Sequence, residues 1–107
     1  MPRFQPAVIL ITAPSRAEAE TIGLALLQKR LAACVQYENT DSSYIWNGTV
    51  CRDAEIRITA KSEKSLFKKT VKTVRALSSY DCPQILMLPV SGGSKTYLRW
   101  LKEQLAL

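Results

Sequence analysis

The chain has 107 residues, 47% of them apolar, and a formal charge of +6 at pH 7, which fits one domain (1–107) with a core of its own. No apolar run approaches the ~20 residues of a membrane helix and no secretory leader pattern opens the chain, so a membrane partner is excluded and a cytoplasmic protein is expected. With no histidine and only the scattered Cys34, Cys51 and Cys82, the composition also excludes Ser-His and Cys-His catalysis, a zinc finger and a disulfide framework.

Ala7–Ala13, followed by Pro14, reads as a central strand that is apolar on both faces. Ser15 with Glu18 three positions on is a capping box. It predicts a helix to about Ala33, with Ala19, Ile22, Gly23 and Leu26 on one side and Arg16, Glu20 and Gln28 on the other. From Cys34 the composition turns to strand, with a bend expected at the polar patch Glu38–Ser43. Asn47-Gly48 is a two-residue hairpin signal. The return strand, Thr49 to about Ala60, sets Ile56, Ile58 and Ala60 on one face and Arg57, Thr59 and Lys61 on the other.

Ser62 is expected to cap a second helix whose buried stripe is Leu66 or Phe67, Thr70 or Val71, Val74 and Leu77. Its far side carries Lys64, Lys68, Lys72 and Arg75, and residues 61–75 hold six cations against Glu63 alone. Pro83 forces Cys82 away from helix. Gln84–Val90 then reads as a buried strand entered through a rigid turn. A hydroxyl (Tyr80), a carboxylate (Asp81) and a thiol (Cys82) stand together at its mouth, where a site is expected. Ser94 caps a last helix to Leu105 that carries Tyr97, Leu98, Trp100 and Leu101.

The order β-α-β-β-α-β plus a terminal helix predicts an α+β, ferredoxin-like (split β-α-β) fold: an antiparallel sheet with helices on one face. The other face is left to solvent or to a partner. Tyr44, Trp46, Tyr97 and Trp100 supply apolar area that oligomerisation would bury.

Arg30-Leu-Ala-Ala-Cys-Val35, Ser42-x-Tyr44-x-Trp46-x-Gly48-x-Val50, Lys61-Ser62, Tyr80-Asp-x-Pro83-x-Ile85, Leu88-Pro-Val90 and Tyr97-Leu-Arg-Trp100-Leu stand in this order along the chain. Together they resemble the CutA divalent-cation tolerance family over about residues 7–105. The resemblance implies a compact homotrimer built through the long hairpins, with Tyr44 and Trp46 at the subunit interface, an architecture similar to the PII signalling proteins, and a link to tolerance of divalent cations, copper especially. It departs where the family has His-Pro-Tyr-Glu-x-Pro-Glu-Ile: the histidine associated with copper is Ser78 here, one carboxylate is shortened to Asp81 and another is the amide Gln84. Loss of the imidazole weakens a Cu²⁺ site. Cys82 and Cys34, with Asp81, form the candidate metal set, a thiol-based site for a copper ion that requires the fold or the trimer to bring the thiols together. Lys61, Tyr80 and Pro83 are the candidate cleft residues.

The reading is therefore a homotrimeric binding or adaptor protein of the divalent-cation tolerance type and not an enzyme, since no nucleophile and base stand at diagnostic spacing. A PII-like trimer sensing a small molecule or anion without a metal is the alternative. RNA recognition on the same fold stacks bases on aromatics of the first and third strands. Neither Ala7–Ala13 nor Thr49–Ala60 contains an aromatic residue, so no specific nucleic acid is expected.

Overall fold

The computed structural model describes residues 3–107. The elements are β1 (Pro6–Ala13), α1 (Arg16–Gln28), β2 (Cys34–Trp46), β3 (Thr49–Glu63), a 3-10 turn at Lys64–Leu66, α2 (Phe67–Leu77), β4 (Ile85–Pro89) and α3 (Lys95–Gln104). The four strands form one sheet in the order β2-β3-β1-β4, every neighbour antiparallel. This is the ferredoxin-like α+β arrangement expected from the element order.

Alternation decides which face is covered. Ala7, Ile9, Ile11 and Ala13 of β1 and Ile56, Ile58 and Ala60 of β3 point to the helices and are buried. Ala19, Ile22, Gly23 and Leu26 of α1 and Leu66, Thr70 and Val74 near α2 close over them, and Leu101 and Leu105 complete the core. The opposite face has no helix. The register puts Lys61, Val8 and Leu88 in one row across it and Thr59, Leu10 and Leu86 in the next. Leu86 and Leu88 remain about half exposed, at 55% and 49%. The expected burial of the last strand therefore fails within one chain, because β4 is an edge strand with a single neighbour and a helix layer on one side only.

Several boundaries differ for local reasons. The first helix stops at Gln28, short of Ala33, because Arg30 adopts a left-handed φ of 55° and the N–H groups of Leu31 and Ala32 turn back to the Leu26 carbonyl. Ser62 is no helix cap. It is buried in β3 and donates its hydroxyl to the Leu31 carbonyl at 2.5 Å. The neighbouring Glu63 does the capping, its carboxylate accepting from the Ser65 N–H at 2.7 Å. Leu77 lies outside the α2 stripe and is exposed. The hairpin pairs one to one from Cys34↔Lys61 to Trp46↔Thr49, with no skipped residue at the polar patch where a bend was expected. Asn47 and Gly48, both at positive φ, close it as predicted.

β1 ends at the Ala13↔Ile56 rung, while β2 and β3 continue through seven more, Thr40↔Glu55 to Trp46↔Thr49. That leaves a two-stranded arm roughly 23 Å long, and the molecule measures 46 × 25 × 22 Å. Ile45 and Val50 face each other near its tip, 74% and 68% exposed, and Tyr44 and Trp46 lie exposed beside them.

Candidate functional site

A cleft of about 660 Å³ lies where the arm leaves the sheet. β2 and β3 supply Asp41, Ser42, Tyr44, Trp46 and Glu55, the end of β1 supplies Thr12, and the connection from α2 to β4 supplies Ser79, Tyr80, Asp81, Cys82 and Gln84. The sequence puts Tyr80 there through two restraints. α2 ends at Leu77, and the Ser79 N–H is then held by the Glu18 carboxylate of α1 at 3.2 Å. The Tyr80 N–H donates to Ser78 Oγ at 3.2 Å.

Two phenols bind two carboxylates in or beside this cleft. Tyr80 donates to Glu55 Oε2 at 2.7 Å. Tyr44 donates to Asp53 Oδ2 across the ladder, one diagonal step from its direct partner Cys51. Burial, then the Glu55 hydrogen bond and charge, push the Tyr80 phenol well above the usual tyrosine range. The hydrogen bond to Asp53, followed by desolvation and the same carboxylate's charge, pushes Tyr44 up to about 12. Both phenols are neutral hydrogen-bond donors to these carboxylates at physiological pH.

Asp41, Glu55 and Asp81 line the cleft, and no lysine or arginine does. The cleft is therefore rich in oxygen donors and negative in charge, which suits a cation over an anion. Cys82 is its one thiol. Among the described residues no group of three or more His, Cys, Asp or Glu side chains is gathered to hold a metal.

The structure brings some of the expected site residues together and leaves others apart. Tyr80, Asp81 and Cys82 share the cleft, and Pro83 sits between the lining residues Cys82 and Gln84. Tyr44 and Trp46 form its arm side. Cys34 does not join them. It pairs with Lys61, six positions along β3 from Glu55 and roughly 20 Å away at strand rise. All three cysteines are free thiols. A thiol site made of Cys34, Cys82 and Asp81 thus does not fit within one chain. Lys61 also stands apart, its Nζ donating to Gln36 Oε1 at 2.8 Å on the open face. Sequence reasoning overlooked Asp41 as a cleft group, Asp53 as the partner of Tyr44 and Glu18 as the anchor of the Tyr80 loop. Counting outward from the Asn47-Gly48 turn would have placed Tyr44 diagonal to Asp53. Nothing local signals the Glu18 contact.

The topology and the arm define a class, an α+β protein of ferredoxin-like fold whose central hairpin outgrows its sheet. Within it, the family model for the CutA1 divalent ion tolerance protein matches residues 7–104, and the chain belongs to that family. It is 42% identical over 97 residues to the divalent-cation tolerance protein CutA of Thermus thermophilus, covering 90% of this chain and 94% of that protein. A solved CutA1 structure from Thermus thermophilus aligns with a TM-score of 0.91 at 40% identity, over 94% of this chain and 99% of that one. The periplasmic divalent cation tolerance protein CutA from Archaeoglobus fulgidus aligns at 0.91 and 36% identity, over 92% and 97%. The chain spans about half (53%) of the chloroplastic CutA of Arabidopsis thaliana, to which it is 36% identical over 96 residues, or 89% of this chain.

Proposed function

We propose that the protein is a homotrimeric, cytoplasmic binding protein of the divalent-cation tolerance type, and that the cleft at the base of the arm takes a divalent cation. The observation that carries this reading is the cleft's lining of Asp41, Glu55 and Asp81 with no cationic side chain among them. Family membership supports the cation as ligand, and an odd number of scattered cysteines suits a reducing compartment. The exposed Tyr44, Ile45, Trp46 and Val50 of the arm support assembly through the hairpins. Oxygen donors with one thiol and no imidazole favour a hard or borderline divalent ion over Cu⁺, so copper binds as Cu²⁺ and modestly. Binding, not catalysis, is the activity.

The second reading is a PII-like trimer that senses a small anion without a metal. Lys61, with only Gln36 as its partner on the open face, favours it if a neighbouring subunit sets that amine against the cleft.

Native mass spectrometry of the untagged, reduced protein, followed by equilibrium dialysis against Cu²⁺ and Mn²⁺, tests both. Three chains that take up a divalent cation, with uptake weakened in Asp81→Asn and Glu55→Gln, is the expected result. Three chains that bind neither ion at micromolar concentration would remove the cation reading, and a monomer would remove the trimer.

A further inference from the structure

We infer that the helical side of the molecule carries a separate binding site, for a small organic anion with an apolar body. The end of α1, one face of α2 and the carboxy-terminal tail border an open groove of about 360 Å³ that shares no residue with the acidic cleft. Its volume is that of a small-ligand pocket.

Its floor is apolar. Leu31 and Leu66 line it, each only 4% exposed, with Ala76 and Ala106 at the sides. Its polar rim is cationic. Lys69, Lys72 and Thr73 follow at helical spacing on one face of α2. Lys29 reaches across from the end of α1, its Nζ 3.4 Å from Thr73 Oγ1. The third wall is held in place from two sides. The Ala106 N–H donates to the Arg30 carbonyl at 2.9 Å, and Arg30 Nη1 donates to the Gln104 carbonyl at 3.2 Å.

No acidic side chain lines this groove. Among the described residues the one salt bridge is Arg57–Glu38, so the three ammonium groups around the groove have no carboxylate partner. A solvated basic helix face accounts for Lys64, Lys68 and Arg75, which lie outside it. The negative end of α1 accounts for Lys29. Lys69 and Lys72 are exposed too, and Lys72 shares its face with Lys68, but together with Lys29 they set three like charges around one groove. Like charges at this spacing repel, and an anion seated among them relieves that repulsion while its apolar body lies against the exposed Ala76 and Ala106. The chemistry recognised is a phosphate or carboxylate on a compact aromatic or aliphatic group.

Isothermal titration of the intact protein with naphthyl phosphate, inorganic phosphate and naphthol tests the site. Saturable binding of naphthyl phosphate, tighter than that of either fragment, is expected. The pair Lys69→Glu and Lys72→Glu weakens it about tenfold or more, as loss of charge-assisted hydrogen bonds does. The pair Lys68→Glu and Arg75→Glu, with the same change of net charge, leaves it within about twofold. Lys69→Gln with Lys72→Gln serves if charge reversal disturbs folding, and native mass spectrometry confirms unchanged assembly. Equal weakening by both glutamate pairs would reduce the effect to a diffuse field and overturn the site. Equal affinity for naphthol, or no saturation, would overturn it as well.

Discussion

Gly23 is the position where one missing side chain determines the packing of a neighbouring element. A Cβ built there lies 2.1 Å from the Tyr37 hydroxyl and 2.9 Å from its ring carbon. The glycine in α1 thus costs some helix propensity but lets the β2 tyrosine lie against the helix, where the Arg16 guanidinium sits 5.7 Å from its ring centroid. Gly23→Ala should lower unfolding stability by about 1–3 kcal/mol, the usual cost of overpacking. Urea denaturation measures the loss, and Tyr37→Phe in the same chain should recover part of it by removing the closest atom.

The junction of β3 with the turn before α2 depends on two adjacent buried polar residues. Ser62 ties β3 to the α1–β2 turn, and Glu63 accepts from the Gln5 N–H at 2.8 Å as well as from the N–H and hydroxyl of Ser65. Burial would raise the Glu63 carboxyl, but these hydrogen bonds outweigh it and hold the group below its ordinary range. The folded pKa is therefore lower than the unfolded one. The stabilisation is complete above the ordinary glutamate range and is lost as pH falls through the folded value. Urea midpoints measured down the acid limb should fall with pH in the native chain. Glu63→Gln should start lower at neutral pH and show a shallower acid dependence. Parallel slopes in the two proteins would count against this role for Glu63.

The arm is the feature of the whole molecule that one chain does not stabilise by itself. Two strands without a third, or a helix to pack on, are marginal in water, yet β2 and β3 keep strict register to the Asn47-Gly48 turn with Ile45 and Val50 exposed. The proposed assembly covers these side chains, and burying one of this size contributes about 1.5–3 kcal/mol. Ile45→Lys and Trp46→Ala should each shift native mass at low micromolar concentration from three chains towards one, while the circular dichroism of the core persists. Unchanged mass in both variants would place the subunit contacts elsewhere.

The strands, turns and helices could be read from local spacing, because hydrophobic period, the Ser15 and Ser94 caps and the Asn-Gly turn act over a few neighbouring residues. The ferredoxin-like order followed from these elements in sequence, and the family from the resemblance of short motifs such as Arg30–Val35 and Tyr80–Ile85. The cluster Tyr80, Asp81 and Cys82 was legible for the same reason, being contiguous. What escaped depended on partners far along the chain. Leu31 offers its carbonyl to Ser62, so the serine became a tie and Glu63 the cap. Strand order left β4 at an edge and half exposed. Ladder register set Glu55 beneath Tyr80 but carried Cys34 and Lys61 far down the sheet, separating thiols that sequence alone had grouped. Local backbone preference is written in adjacent residues. Which side chains share a cleft is decided by strand order and register, at a rise of about 3.3 Å for each step along a strand.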